Sequence, residues 1–222
     1  MDEDDILAQA EEIDAEIEKE EKKPFPLAVK LIIALFFLLI IVSWVIPHYA
    51  IPYRPRPTFI PSVAEVLPAN LLMPNNPNSQ VFSDYFLAFD PTIKQVATSI
   101  AARSGCGPDR VCQAEALYLF VRDNFQYVAD PIGKDYYEYP QEFMNSGGGD
   151  CESGVILLIS LERAIGIQAE PVFIPNHVFV RLLLPEAQRS IRRDGDNVYV
   201  DWTCSSCEFG EVPKDDLLKM GK

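Results

Sequence analysis

The chain has 222 residues, which is enough for one well-packed domain with appendages but too few for two full domains. Its net charge of −14 is unevenly spread, because residues 1–21 hold eleven acidic side chains against Lys19 alone. The net charge left for the rest of the chain is therefore only −4 (−14 minus −10), with no basic stripe. This distribution excludes a nucleic-acid-binding surface, and no nucleic-acid partner is expected.

The acidic segment 1–24 has two interpretations. Ile6, Ala10, Ile13 and Ile17 recur at the period of an amphipathic helix, whose apolar stripe can dock a partner. So many like charges are also typical of a solvated, disordered tail. The charge density favours the disordered tail, and a partner for this segment stays an open alternative.

Residues 25–48 form a predicted membrane anchor. From Leu31 to Ile46 only Ser43 is polar, and residues 27–29 can extend this helix toward the roughly 30 Å of a bilayer core, because Lys30 can snorkel. The alternatives are a buried core helix and a cleaved signal peptide. A long acidic segment before the apolar run, without a clear cleavage site after it, argues against the signal peptide.

The residues that flank this run predict its orientation. Four lysines precede the apolar run and two arginines follow it closely: Lys19, Lys22, Lys23 and Lys30, then Arg54 and Arg56. The positive-inside rule then places the acidic tail in the cytoplasm and the main domain outside. Membrane lipid is the expected partner of residues 27–47, with an interfacial end marked by Trp44, His48, Tyr49 and Tyr53.

Proline content marks the next boundary. Residues 47–77 hold eight of the eighteen prolines, so the segment 49–80 is predicted to be an extended linker or a strap on the domain surface. The globular domain is predicted to span residues 81–222. Capping residues and periodicity there predict helices over 91–103, from Pro108 or Asp109 to about Asn124, and over 151–165, then strands over 169–174, 177–184 and 197–203. Helices followed by an antiparallel sheet indicate an α+β domain.

Cys151 is the candidate nucleophile. It follows three glycines and Asp150 and begins a nearly all-apolar helix, so its sulfur is expected at the positive end of a helix macrodipole. With a histidinium nearby, this position is expected to lower the thiol pKa from ~8.5 to well under 7. The free N–H groups of the first helical turn can hold an oxyanion. A buried, inert cysteine is the alternative.

His177 is the candidate base, because the other histidine, His48, belongs to the predicted membrane boundary. It begins one predicted strand, and Asp201 lies at the end of the next. A hairpin that pairs these two residues brings a carboxylate to the imidazole, where it can fix the tautomer and stabilise the charged form. The same register pairs Val180 with Val198 and Leu182 with Asp196. The alternative is a histidine at a strand edge with an incidental aspartate.

Two parts of the sequence together resemble the core of transglutaminase-like proteins. Residues 140–169 contain PQEFMNSGGGDCESG and then a helix that ends in ERAIGIQA. Residues 176–180 and 198–203 then offer a histidine on one strand and an aspartate on the next. The resemblance implies a papain-like α+β fold, a Cys151–His177–Asp201 triad and acyl transfer at amide carbonyls.

The other four cysteines form two close pairs, Cys106 with Cys112 and Cys204 with Cys207. In an oxidising exterior, one disulfide within each pair would leave Cys151 as the free thiol. A four-cysteine zinc site and simply reduced thiols are the alternatives. The spacing of the first pair is wide for zinc and favours the disulfides, and no catalytic metal or cofactor is expected.

Two functions fit these features. The first is a membrane-anchored cysteine enzyme that acts on a protein or peptide substrate and releases its acyl intermediate to water or to an amine. Hydrolysis is favoured because water needs no acceptor pocket. The alternative is a catalytically silent, membrane-tethered binding scaffold, although a scaffold has no physical need for all three triad groups.

Overall fold

The structure is a computed structural model that describes residues 26–45, 55–68, 71, 73, 79, 81–131 and 136–220. The predicted tail over 1–24 lies outside the described residues, as do the interfacial residues His48, Tyr49 and Tyr53. The described residues belong to two compact units, divided between residues 53 and 54. Each unit is described by itself.

The first unit contributes helix α1 (Leu27–Val45), which has 19 residues. Its length of about 28 Å at ~1.5 Å per residue approaches the thickness of a bilayer core. None of the window Leu27–Trp44 is buried. By length and composition this helix can cross a membrane, and a signal sequence near the N-terminus would have the same properties.

The second unit combines helices with an antiparallel sheet, as the sequence predicts. Its described helices are α2 (Val63–Val66), α3 (Pro91–Arg103), α4 (Arg110–Asn124), α5 (Pro140–Ser146), α6 (Cys151–Ala164) and α7 (Lys214–Lys219), with a 3-10 turn at Phe82–Tyr85. Its described strands are β1 (Gln126–Tyr127), β2 (Gly148–Gly149), β3 (Gln168–Ile174), β4 (His177–Leu183) and β5 (Asn197–Val200). Strands β1 and β2 form a short parallel pair, and β3, β4 and β5 form an antiparallel sheet in that order.

Three aspartate caps set the starts of the long helices. The carboxylate of Asp90 accepts the N–H groups of α3, that of Asp109 accepts from Cys112, and that of Asp150 accepts from Ser153. Each cap satisfies N–H groups that have no partner within the helix. The three observed helices confirm the predicted ones to within one residue at each end, or two where the second helix is taken to start at Pro108.

The predicted register of β4 against β5 is wrong by two residues. Val180 pairs with Val200 rather than Val198, and Leu182 pairs with Val198 rather than Asp196. The connection is tighter than a simple loop, because Asp194 and Asn197 form a bridge at its end. A shift of two keeps every side chain on its face of the sheet, since side chains alternate with a period of two. Asp201 therefore stays on the face of His177, at a diagonal rather than a directly opposed position.

Helix α6 is the centre of the domain core. It packs against α3, α4 and α5 on one side and against β3 and β4 on the other. Val155 and Leu158 of the helix and Val178 and Val180 of β4 are fully buried in the same cluster. This packing fixes the N-terminus of α6 beside the beginning of β4.

The compact unit begins before Val81, where the sequence analysis starts the globular domain. In the segment 55–68, the backbone N–H of Thr58 donates to the Ser104 carbonyl (2.9 Å) and the Asn124 amide donates to the Pro61 carbonyl (3.3 Å). Val66 is buried in the main core. The first half of the proline-rich region is thus a strap on the domain, one of the two forms considered for it.

The cysteine pairs are bonded as the sequence favours. Cys106 is bonded to Cys112 and Cys204 to Cys207, and Cys151 is a free, buried cysteine. The second bridge lies directly after Asp201. It closes the turn in which the Cys207 backbone N–H donates to the Cys204 carbonyl (3.2 Å).

Candidate active site

The glycine loop places Cys151 at the first position of α6. Gly148 pairs with Gln126, and a Cβ on Gly148 would lie 2.2 Å from the Gln126 carbonyl oxygen. A Cβ on Gly149 would lie 2.3 Å from a carboxylate oxygen of Glu138. The two strands can approach this closely only because Gly148 lacks a side chain, and Gly149 leaves room for the side chains of Glu138 and Phe143. The glycines therefore serve the turn that delivers Cys151 to the helix N-terminus.

Residues next to His177 and next to Asp201 lie beside the first turn of α6. The indole N–H of Trp202, next to Asp201, donates to the Cys151 carbonyl oxygen (3.2 Å). Gly154 makes room for this indole, since a Cβ there would lie 2.1 Å from the ring. The backbone of Val178, next to His177, lies close enough to the Cys151 sulfur to lower the pKa of the thiol slightly. The sequence neighbours of His177 and Asp201 thus both lie near Cys151.

His177 and Asp201 form a hydrogen-bonded pair. Nε2 of His177 lies 2.9 Å from Oδ2 of Asp201, which is almost fully buried. The other oxygen of Asp201 accepts from the backbone N–H and the hydroxyl of Thr203 (3.0 and 2.8 Å). Because the carboxylate accepts, the contact assigns the proton to Nε2 and leaves Nδ1 with a lone pair. The hydrogen bond to Asp201 raises the pKa of His177 despite its partial burial.

The electrostatics of Cys151 differ from the sequence expectation. Burial and a hydrogen bond from the thiol to Glu152 Oε2 (2.7 Å) raise the pKa of Cys151 to about 12, with the charges of Glu152 and Asp150 acting in the same direction. The Val178 N–H favours the thiolate but does not outweigh these effects. In this arrangement the pKa of the Cys151 thiol is raised, against the direction that the helix N-terminus favours. The helix N-terminus is present, but adjacent carboxylates and burial dominate it.

Two further carboxyl groups near the glycine loop have raised pKa values. Burial raises the pKa of Glu138 to about 7, with the charges of Glu142 and Asp150 adding to the effect. Burial also raises the pKa of Asp150 to about 6, against the hydrogen bonds from Ser153. The surroundings of Cys151 are thus acidic, a property that the sequence analysis did not foresee although Asp150 and Glu152 flank the cysteine.

An open cleft of about 470 Å³ exposes the histidine. Its lining includes Tyr127, His177, Asp201, Asp216 and Lys219. A slightly larger cavity of about 500 Å³ lies elsewhere, beside Phe86 and Arg163, and none of the candidate site residues lines it. We therefore assign the site by its chemical groups rather than by cavity size.

One histidine and two carboxylates lie together in this cleft. The donor atoms of His177, Asp201 and Asp216 all lie within 4.8 Å of one another. Nε2 of His177 is already bonded to Asp201, and the ammonium of Lys219 lies 2.8 Å from Asp216. Because Lys219 already supplies the compensating positive charge, we interpret the group as a hydrogen-bonded ion network and assign no metal to it. Asp216 could not be predicted from the motif, because it lies far from it along the chain.

Comparison with known proteins agrees with the fold. Residues 95–179 match the sequence model of the transglutaminase-like superfamily, a region that includes Cys151 and His177. The matched region is 85 of the 222 residues, and this part of the chain is similar to the transglutaminase-like superfamily. None of the curated proteins compared with the chain matched it.

Solved structures similar to the chain include Legionella pneumophila LapG. The EGTA-treated form is 22% identical over 53% of this chain and 72% of that chain, with a TM-score of 0.35. The calcium-bound form is 21% identical over 53% of this chain and 74% of that chain, with a TM-score of 0.31. At such low scores, the fold assignment rests on the family match and on the architecture described above.

Proposed function

We propose that the domain is a cysteine acyl-transfer enzyme with Cys151 as nucleophile, His177 as general base and acid, and Asp201 as the group that orients His177. The observation that carries this proposal is the buried free thiol at the start of α6, close to the backbone of Val178, which follows a histidine whose Nε2 is held by Asp201. The substrate is a protein or peptide with an amide or carboxamide carbonyl.

The reaction begins from a protonated thiol. As Cys151 Sγ attacks the carbonyl carbon, its proton moves to Nδ1 of His177, and the imidazolium is stabilised by Asp201. The backbone N–H of Cys151, at the first helical position, is one donor to the oxyanion. Collapse breaks the C–N bond, and the leaving amine takes the proton from His177. A thioester to Cys151 remains.

Water completes the preferred reaction. His177 takes a proton from the water as its oxygen attacks the thioester, and the thiolate that leaves takes that proton back. The products are a carboxylic acid and the restored thiol. An amine in place of water would give a new amide, which is the cross-linking outcome.

An activated ester tests the first half of this cycle without knowledge of the natural substrate. With 4-nitrophenyl acetate, we expect a burst of nitrophenol equal to the enzyme concentration and an acetyl group on Cys151 by intact mass. Cys151→Ala should abolish the burst, and a primary amine in the buffer separates hydrolysis from aminolysis. A burst that survives in Cys151→Ala, or none in the native protein, would favour the binding scaffold.

We also propose that α1 anchors the domain in a membrane with the domain on the outer side. Two independent features support this orientation: the excess of lysines before the apolar run, and the two disulfides of the domain.

A further inference from the structure

The last helix of the described chain covers the outer face of the sheet beside His177. Phe179 of β4, Tyr199 of β5 and Val212 form a buried cluster, against which Leu217 and Met220 pack. Phe179 and Tyr199 point to the same face of the sheet as His177, because side chains alternate along each strand. Helix α7 is therefore held by apolar contacts next to the start of β4.

This packing brings Asp216 to the histidine. The Asp216 side chain is only 13% exposed although α7 lies on the surface, and its carboxylate lies within 4.8 Å of the donor atoms of both His177 and Asp201. Lys219, one turn later, reaches back to Asp216. The imidazole thus has one carboxylate from the end of β5 and a second from α7.

We propose that Asp216 is a positioning residue for His177, which holds the imidazole in the cleft together with Asp201 and stabilises its protonated form. The catalytic meaning of this role rests on the function proposed above, whereas the electrostatic contact does not. Helix α7 is then a required part of the active site, although it lies outside the family match at residues 95–179.

The charges around His177 determine the direction of each effect. The charged groups that act on it are Asp201 after β5 and Asp216 and Lys219 from α7. Tyr127 from β1 lines the same cleft, and Cys151 of α6 is the thiol whose proton His177 takes in the proposed reaction. Asp201 and Asp216 raise the pKa of His177, while burial and Lys219 lower it. Asp201 is the larger contributor because it is directly bonded. Asp216 acts on the imidazole through its negative charge, because the Nε2 hydrogen is already donated to Asp201.

The chemical step gives this second carboxylate a purpose. Attack needs a neutral imidazole that can take the Cys151 proton, so activity is lost as pH falls through the pKa of His177. Asp216 raises that pKa, which makes His177 a stronger base and stabilises the imidazolium that forms during attack. It therefore moves the acid limit of the active range to higher pH.

An NMR titration of the full chain in detergent micelles tests the contact directly. The protein has two histidines, so the His177 ring signal is identified by its loss in His177→Ala. We expect Asp216→Asn to lower the pKa of His177 by about one unit, which is a tenfold change in proton affinity. Lys219→Met should raise it, and Asp216→Glu should restore most of the native value.

Asp215→Asn is the matched control, since it removes the same charge from an exposed position one residue away. It should leave the pKa of His177 within about 0.2 units of the native value, because solvent screens an exposed charge. An unchanged pKa in Asp216→Asn, or equal shifts in Asp215→Asn and Asp216→Asn, would overturn the proposal. If Asp216→Asn fails to fold, the NMR titration of Lys219→Met is the deciding measurement. A His177 pKa that does not rise in Lys219→Met would overturn the proposal.

The pH–rate profile of the ester reaction links the contact to catalysis. In Asp216→Asn, we expect the acid limb of the rate of acyl-enzyme turnover to move to lower pH by the same amount as the NMR pKa of His177. If the native protein gives no burst but the NMR shifts are observed, the proposed enzyme activity is wrong and the contact between Asp216 and His177 stands. If the burst is normal but neither the limb of the pH–rate profile nor the His177 pKa shifts in Asp216→Asn, the contact is wrong and the proposed enzyme activity stands.

Discussion

Glu152 is the residue that most changes how the site is understood. Its carboxylate accepts from the Cys151 thiol, so the resting nucleophile is a protonated thiol rather than a preformed thiolate. His177 must then act as a general base during attack. The Gly-Asp-Cys motif predicted the position of the sulfur, but the rotamer of its neighbour decided the charge.

Replacing Glu152 with Gln should make Cys151 more reactive toward alkylation. The change removes the nearest negative charge while keeping a side chain of similar size, so the thiol pKa falls. A fall of about one unit gives a roughly tenfold faster reaction with iodoacetamide at pH 7.5. Glu152→Asp, which keeps the charge, should gain less. An unchanged or slower rate in Glu152→Gln would show that Glu152 does not hold the thiol protonated.

Glu162 should make stability depend on pH. It is fully buried, its two carboxylate oxygens have no hydrogen-bond partner among the described residues, and burial raises its pKa well above the usual value, although Arg110 acts in the opposite direction. The folded state therefore binds this proton more tightly than the unfolded state. The stability associated with Glu162 is fully present below the unfolded pKa of about 4.5 and is lost as pH rises toward the folded pKa.

Glu162→Gln removes that titration. Denaturant unfolding between pH 5 and 8 compares the free energy of unfolding of the variant with that of the native protein. As pH rises, this difference should change in favour of the variant by up to about 1.4 kcal/mol per pH unit. The slope with pH is the quantity to compare, because a buried amide has a penalty of its own. Parallel stability curves would mean that Glu162 is not held protonated by the fold.

At the scale of elements, the caps and the glycines could be predicted from the sequence, but the contacts between elements could not. Asp90, Asp109 and Asp150 each mark a helix start by a local hydrogen bond, so local sequence suffices. The β4–β5 register depends on a turn closed by Asp194 and Asn197, which hydrophobic alternation does not specify to within two residues. The predicted contact between the side chains of His177 and Asp201 is still made, because a shift of two residues leaves both on the same face of the sheet.

The contact between α6 and Trp202 should not tolerate a methyl group at Gly154. Alanine is favoured over glycine in a helix by about 1 kcal/mol, but its Cβ would overlap a buried indole. We expect a net loss of about 1–3 kcal/mol in the free energy of unfolding, measured by urea denaturation. In a Trp202→Phe background the smaller ring should remove most of that loss. Equal losses in both backgrounds would contradict this packing.

At the scale of the whole molecule, the acidity and the apolar run belong to different parts of the chain from the site. Residues 1–21 carry a net charge of −10, and α1 is exposed along the window that could span a bilayer. The strap of residues 55–68 joins the catalytic unit, so the boundary expected at Val81 came from composition and overlooked packing. Proline-rich sequence predicts an extended chain but not what that chain rests on.

Membrane extraction tests the proposed anchor. The protein should stay with membranes through carbonate or high-salt washing and dissolve only with detergent, because an apolar helix of this length is inserted by the hydrophobic effect. A form that begins at Arg54 should be released without detergent. Release of the full chain by carbonate, or a cleaved chain that lacks α1, would contradict the anchor and support a signal sequence.

The central claim is that His177 activates Cys151, and alkylation kinetics followed by intact mass measure it most directly. Without reductant, we expect iodoacetamide to modify one of the five cysteines, Cys151, and the rate constant to fall by about 100-fold or more in His177→Ala, the typical lower contribution of a general base. The rate constant of Asp201→Asn should lie between those of the native protein and of His177→Ala. A His177→Ala rate within twofold of the native rate at pH 7.5 would contradict the account.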